Sequence, residues 1–225
     1  MGVLSWLRYG RVPALEYEAR VLVLSSTDAG ENGAMTEPEF LVPEHRSRLL
    51  EGMAKAVAEK GYAAATIADI VREASVSRRT FYEHFQSKSE CLIALYEAAS
   101  HNALKVLRGA IDPAHPWQTQ VERALGAYFE ALAANPLLLR TLYIEILGLG
   151  PEGLAARRRV NREIAHLMLD VVNAASPGQL GPQMAMAVVG GINELVLEYI
   201  ERDDEEKLAE LVAPAAQLVR TVAAP

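Results

Sequence analysis

Cysteine is nearly absent from the chain. Cys91 is the only one, so no intrachain disulfide can form and a reducing, cytoplasmic setting is expected. Basic residues are outnumbered, 22 Lys and Arg against 29 Asp and Glu, and the net charge of −7 on its face argues against a polyanionic partner. Long apolar runs are also missing: the longest charge-free span, 171–193, is broken by Ser-Pro-Gly and Gly-Pro, so no membrane helix is expected. The best apolar run near the N-terminus, 21–24, is too short for an export signal. There is no phosphate-binding glycine loop, nucleophile elbow or zinc-ligand pair. His101, His115 and His166 have no nearby Cys or His in sequence. These absences predict neither an enzyme nor a metal or cofactor protein.

What is present is an ordinary globular balance, 51% hydrophobic and 23% charged, in a chain long enough for one sizeable domain or two small ones. Residues 1–42 differ from the rest. The segment "SSTDAGENGAMTEPEF" is rich in turn formers without a helical period, so 1–42 reads as a flexible extension, and Met35 is an alternative start. From Pro43 onward nearly every segment has helical periodicity. Leu49, Leu50, Met53 and Val57 recur at three- and four-residue steps until Gly61. Thr66 and Asp69 form a capping box, Ser77 is an N-cap, and Ser87 with Glu90 forms a second box opening a helix over about 88–109. Further helices are expected after Pro116, Pro136 and Pro151, then over about 182–201 and 204–223, with Pro214 kinking the last. Ser176-Pro-Gly178 is a turn. No strand pattern competes, and the fold class is all-α.

Against the scarcity of aromatic residues, 6% of the chain, "VSRRTFYEHFQSK" at 76–88 is unusual. It gathers three aromatics, two arginines, a histidine and a lysine. Over 44–90 there are eight Lys and Arg against seven Asp and Glu, and over 75–88 three against one, so the acidic balance lies elsewhere. Phosphate contacts act over roughly 8–10 Å, so net charge does not veto a local basic patch. Two short helices after a longer one make a helix-turn-helix, whose second helix can enter a DNA major groove. Phe81 and Phe85 are four apart and share an inward face, which leaves Arg78, Arg79, Thr80, Tyr82 and His84 to a partner. An arginine at the helix start can read guanine with two bonds. Thr80 and Tyr82 offer hydroxyls, His84 and Lys88 suit phosphate, and the amides at Thr66 and Ser87 add helix N-terminal phosphate sites.

The stretch "AEKGYAAATIADIVREASVSRRTFYEHFQSKSECLIALY" resembles the N-terminal DNA-binding domain of TetR-family transcriptional regulators, over about 46–96. The resemblance implies a three-helix domain over 43–90 and a helical domain over 91–225 that dimerises and takes a small effector. It assigns Arg78, Arg79 and Thr80 to bases and Tyr82, His84 and Lys88 to the backbone; the caps Ser77 and Thr66, read from the residues themselves, are further candidate DNA-binding residues. One departure is Ser75, where members often carry glycine; serine accepts a positive φ less readily.

In the second domain, apolar residues surround 184–200 rather than forming one stripe, so that helix needs cover on two sides. Met184, Val188, Gly191 and Leu195, with Leu211 and Leu218 from the last helix, are the candidate dimer interface; the alternative is a central helix of a monomeric bundle. Tyr128, Phe129, Tyr143, His166 and Met168 are candidates to line an apolar effector cavity, or else simply fill the core. Arg157, Arg158, Arg159 and Arg162 read as a solvated face rather than a second DNA patch, and Cys91 as a buried hydrophobe rather than a redox sensor. The expected function is a homodimeric, effector-released repressor on a palindromic operator. The alternative is a DNA-binding scaffold controlled by a protein partner.

Overall fold

The computed structural model describes residues 37–174 and 177–224, and among them there are helices but no strand. Helix α1 (Glu37–Ala64) begins six residues before Pro43, inside the span read as an extension; residues 1–36, Met35 among them, lie outside the described residues. Gly61 breaks its last turn with φ 74° and ψ 157°, a conformation in which any Cβ would be strained. Helices α2 (Ile67–Ala74) and α3 (Arg78–His84) follow, then the long α4 (Lys88–Gly109).

The predicted spacings in this part are realised. Leu49, Leu50, Met53 and Val57 of α1 are buried against Ile70, Phe81 and Phe85. Full burial of such side chains is worth about 1.5–3 kcal/mol each, which is how helices of seven and eight residues stay folded here. The same core takes Cys91, Leu92 and Leu95 from α4 and Leu138 from further on. The first turns of α4 therefore complete the N-terminal core, and a division at residue 90 separates them from the side chains they cover.

Cys91 is fully buried, its Sγ lies 3.9 Å from the Leu49 carbonyl oxygen, and burial pushes its thiol up to about 12. A thiol that stays protonated is a poor nucleophile. Native protein is expected to leave a thiol-labelling reagent unconsumed at pH 8, and to react with one equivalent per chain in denaturant.

The remaining elements are α5 (Trp117–Ala133), α6 (Pro136–Tyr143), a 3-10 segment (Glu145–Leu149), α7 (Pro151–Asn173), α8 (Pro182–Glu201), a second 3-10 segment (Glu205–Leu211) and α9 (Val212–Val222). Pro136, Pro151 and Pro182 stand in the first turns of their helices, where a missing N–H removes no bond. Pro214 does not kink a long final helix, as its position within the apolar pattern predicted. The chain runs as 3-10 turns to Leu211 and restarts as α-helix at Val212, which places Pro214 in a first turn too. Between α7 and α8, Asn173 Nδ2 donates to the Leu180 carbonyl and its Oδ1 accepts from the Leu180 amide, at 3.0 and 2.8 Å. Ser176 of the turn predicted there lies outside the described residues, while Gly178 has φ 83°.

A second core fills the space among α5, α7, α8 and α9, centred on Phe129, Leu139, Val196 and Val219. Leu104 and Leu107 of α4 belong to it, so α4 is built into both cores. A further link joins the two parts. The Tyr62 amide, just past Gly61, donates to Glu145 Oε2 at 2.9 Å across 83 residues of sequence.

Candidate nucleic-acid interface

The helix-turn-helix is held by local caps, the first of them at the start of α2. Thr66 Oγ1 accepts from the Asp69 amide at 3.2 Å and the Thr66 amide donates to Asp69 Oδ2 at 3.0 Å, so the predicted box is closed on both sides. Lys60 and Arg72 reach Asp69 Oδ1 at 2.7 and 3.0 Å. The bonds from Lys60 and Thr66 hold the Asp69 carboxyl well below the usual carboxylate range. The closed box has a consequence for the predicted phosphate sites: the Thr66 amide is already taken by a carboxylate. At Ser87 only half a box forms. Ser87 Oγ accepts from the Glu90 amide at 3.1 Å, but Glu90 Oε2 takes the Gln86 amide instead of the amide of Ser87.

Ser75 adopts the left-handed conformation, φ 53° and ψ 44°, that its side chain disfavours. The Val76 amide reaches back to the Val71 carbonyl at 3.1 Å, the signature of a helix end of this type, and Arg48 Nη2 donates to the Ser75 carbonyl at 2.7 Å. Ser75→Gly removes roughly 1–2 kcal/mol of strain and adds about 0.5–1 kcal/mol of unfolded-state freedom. A net gain of roughly 0.5–1 kcal/mol in denaturant unfolding is expected, with DNA affinity unchanged.

Helix α3 divides into two faces. Phe81 and Phe85 are buried, while Arg78, Arg79 and Tyr82 are exposed. Ser77 Oγ accepts from the Thr80 amide at 3.0 Å, and the two hydroxyls lie 2.9 Å apart, so Ser77 and Thr80 define the start of the helix as a unit. Tyr82 is 58% exposed with its ring edge-on to Phe81, an unusual setting for a ring without a partner surface. Arg78 makes no hydrogen bond or ion pair among the described residues, whereas Arg79 Nε is 3.0 Å from Glu83 Oε1. Glu83, absent from the predicted site, orients the arginine one turn before it; the i,i+4 spacing is its signal in the sequence.

Two predicted phosphate ligands look different in place. His84 is partly buried, and burial together with the charges of His45 and Arg46 lowers its pKa. At neutral pH it is an uncharged imidazole, able to donate a hydrogen bond but carrying no cation. The Lys88 ammonium donates to the carbonyls of Tyr62 and Ala65 at 2.7 and 2.8 Å and lies 4.1 Å from the centre of the Tyr62 ring. Two of its three N–H donors thus close the chain around Gly61.

In the helical domain, an apolar cavity of about 70 Å³ lies among α5, α7, α8 and α9, with Tyr128 and Met168 in its wall. Phe129 is fully buried core instead, because it stands one residue round α5 from Tyr128. Tyr143 lines a neighbouring cavity, its hydroxyl 2.9 Å from that of Tyr128. His166 is exposed on the outer face of α7, one position past buried Ala165, and does not line the cavity.

Of the predicted interface residues, Met184 is 49% exposed, and Gly191, Leu195 and Leu218 are partly buried. Val188 and Leu211 are buried in the chain's own core, since a helix apolar on all sides does not reveal which side its own bundle covers. Gly191 serves α8–α9 packing, because a Cβ there would stand 3.1 Å from Leu218 Cδ2; Gly190 is the glycine that opens to the surface. Arg158 and Arg162 are exposed and Arg159 pairs with Glu97 at 2.6 Å, as a solvated face requires, but Arg157 is half-buried. Among the described residues no His, Cys, Asp and Glu cluster suits a metal, and no helix is long and apolar enough to cross a membrane.

Comparison with known proteins places this geometry. Residues 49–95 match the family model for bacterial regulatory proteins, tetR family. An uncharacterized HTH-type transcriptional regulator of Bacillus subtilis, YxbF, is 29% identical over 110 residues, 48% of this chain and 29% of YxbF. A second from the same organism, YerO, is 31% identical over 90 residues, 39% of this chain and 31% of YerO. The chain thus spans less than a third of the length of these curated relatives. Among solved structures, the fatty acid degradation regulator FadR of Bacillus halodurans superposes with a TM-score of 0.68 at 20% identity, over 84% of this chain and 96% of FadR. FadR of Bacillus subtilis, solved in complex with stearoyl-CoA, gives 0.68 at 17% identity, over 76% and 96% of the two chains. At these identities the structural likeness concerns the fold.

Proposed function

We propose that the chain is a TetR-family DNA-binding transcriptional regulator, an effector-released repressor acting as a homodimer on a palindromic operator. One observation carries the proposal: α3 buries Phe81 and Phe85 completely or nearly so and leaves Arg78, Arg79 and Tyr82 exposed at a helix start fixed by Ser77. That is a rigid helix presenting an arginine-led first turn, the arrangement a major groove accepts. Arg78, Arg79 and Thr80 read bases, Tyr82 and neutral His84 contact the backbone, and Glu83 holds Arg79 in its approach.

Dimerisation is supported by the outer faces of α8 and α9. Met184, Ala187 and Gly190 on one helix and Ala213, Pro214 and Gln217 on the other are exposed and uncharged. Paired about a two-fold axis, they form a four-helix interface that sets the spacing of two α3 helices. The apolar cavity favours a small apolar or amphipathic effector over control by a protein partner alone. Helix α4, belonging to both cores, is the element through which effector and DNA oppose one another, and DNA then weakens effector binding by the same factor. The setting is cytoplasmic, as for any protein that must reach the chromosome.

The test is fluorescence anisotropy on duplex DNA from upstream of the chain's own gene against scrambled duplex, across salt concentrations. Wild type is expected to prefer the former. Arg79→Ala is expected to lose about tenfold of that preference, the scale of one arginine–guanine contact, while its affinity for scrambled duplex falls little. Equal weakening on both duplexes would assign Arg79 to phosphate and overturn its base-reading role.

A further inference from the structure

The apolar cavity among α5, α7 and α8 does not end in hydrocarbon. Tyr128, Ile164 and Asn193 line both it and a cavity of about 30 Å³ beside it that also carries polar side chains, so the two share those walls. The smaller cavity is also walled by Tyr96, Tyr143, Asn161 and Arg157. The Tyr128 and Tyr143 hydroxyls bond each other at 2.9 Å, and Asn193 Nδ2 lies 3.4 Å from Asn161 Oδ1. Arg157 is the anomaly. Two residues on, Arg159 has Glu97; Arg157 has no ion pair or hydrogen bond among the described residues, although it is half-buried. Its charge reaches the buried tyrosines: burial raises the Tyr96 and Tyr143 hydroxyl pKa values, and Arg157 opposes the rise at both. Arg157 lines this cavity with no carboxylate at ion-pair distance among the described residues, so an anion delivered from outside would find its charge unshared.

We propose that this smaller cavity is a headgroup site and that the effector is an amphipathic monocarboxylate, with its chain in the apolar cavity and its carboxylate on Arg157. The inference rests on the effector-cavity reading above and names the class of molecule the cavity takes. Charge decides for a monoanion. Arg157 is the single cation in the wall, and tyrosine hydroxyls and the Asn161 amide supply only neutral donors, so the second charge of a phosphate would stay uncompensated. The planar fork of a guanidinium also matches a carboxylate. Size decides for a chain of moderate length: about 70 Å³ holds about five water-sized groups. A carboxylate that takes the Tyr143 hydroxyl competes with Tyr128 for it. Tyr143 ends α6, two residues before the Glu145 that accepts the Tyr62 amide of the DNA-binding domain, so the headgroup acts beside the bond joining the two domains.

Isothermal titration of the full chain with hexanoate, 1-hexanol and hexanoyl-CoA tests this, the five carbons beyond the hexanoate carboxylate matching the cavity. Hexanoate is expected to bind tighter than hexanol by about tenfold or more, the scale of a charge-assisted hydrogen bond. Arg157→Gln is expected to abolish that preference and leave hexanol affinity unchanged, which also reports an intact cavity; Arg159→Gln is expected to keep it. Equal binding of acid and alcohol by wild type, or a preference surviving in Arg157→Gln, overturns the headgroup site and leaves the cavity standing. So does hexanoyl-CoA binding tighter than hexanoate and indifferent to Arg157→Gln. If neither acid nor alcohol binds folded protein, the effector cavity fails as well.

Discussion

Gly153→Ala is expected to destabilise the chain by about 3 kcal/mol and to lower its melting temperature by roughly 6–12 °C. Gly153 stands in the first turn of α7, where that helix folds back over the 3-10 segment before it. A Cβ there would lie 1.8 Å from the Ile146 carbonyl oxygen and 3.0 Å from Leu149 Cβ. The nearest atom is backbone, so no rotamer change relieves the overlap; the segment or the helix has to move. Alanine is the better helix former by about 1 kcal/mol, but that gain is smaller than the cost of displacing a packed turn. Ile146 is fully buried with Tyr96 and Ala156, and the displaced turn carries Glu145 and its bond to the Tyr62 amide. Under the effector-release reading proposed above, the variant is also expected to respond less to effector in DNA release, beyond its loss of stability. Gly126→Ala in α5 is the control: a Cβ there meets nothing within 4 Å, and a gain of about 1 kcal/mol is expected. Thermal unfolding of the two variants reads the difference directly, and equal melting temperatures would show that the turn before α7 yields freely.

Lys88→Ala separates two roles that the sequence alone merges. A phosphate-contacting lysine, once removed, weakens binding to every duplex and lowers the slope of log affinity against log salt by about 1. In the structure the ammonium instead closes the break at Gly61, donating to the carbonyls of Tyr62 and Ala65 and resting on the Tyr62 ring. Two hydrogen bonds from a charged donor and a cation–π contact leave with it, while water reaches the partly exposed site and restores some of the loss. A fall of about 2 kcal/mol in the stability of the DNA-binding domain is expected, with the salt slope of the folded protein nearly unchanged. A full unit lost from the slope with wild-type stability would reverse the assignment.

The two predictions concern the same joint from opposite sides. Lys88 grips the 61–65 chain from the start of α4, and Glu145 grips it from the second domain. In the effector-released repressor proposed above, a contact of this kind would have two arrangements, and the segment it holds begins at Gly61 with φ 74°.

What local chemistry governs was legible in the residues: an all-α chain, helices opened by Pro136, Pro151 and Pro182, a closed cap at Thr66, and Phe81 and Phe85 turned inward by their spacing of four. Helical periodicity and capping act within a few residues, so they can be read without knowing what lies across the fold. The surfaces that need a distant partner were not legible. Periodicity says that a helix face is covered but not by what, so Val188 and Leu211 fell to the chain's own core and His166 to solvent. Lys88 found its carbonyls 26 and 23 residues away, and Tyr62 its carboxylate 83 residues away. Arg157, one of four arginines alike in sequence, is half-buried without a carboxylate at ion-pair distance among the described residues, whereas Arg159 meets Glu97. Charge pairing and desolvation depend on three-dimensional neighbours, and only the tertiary structure chooses them.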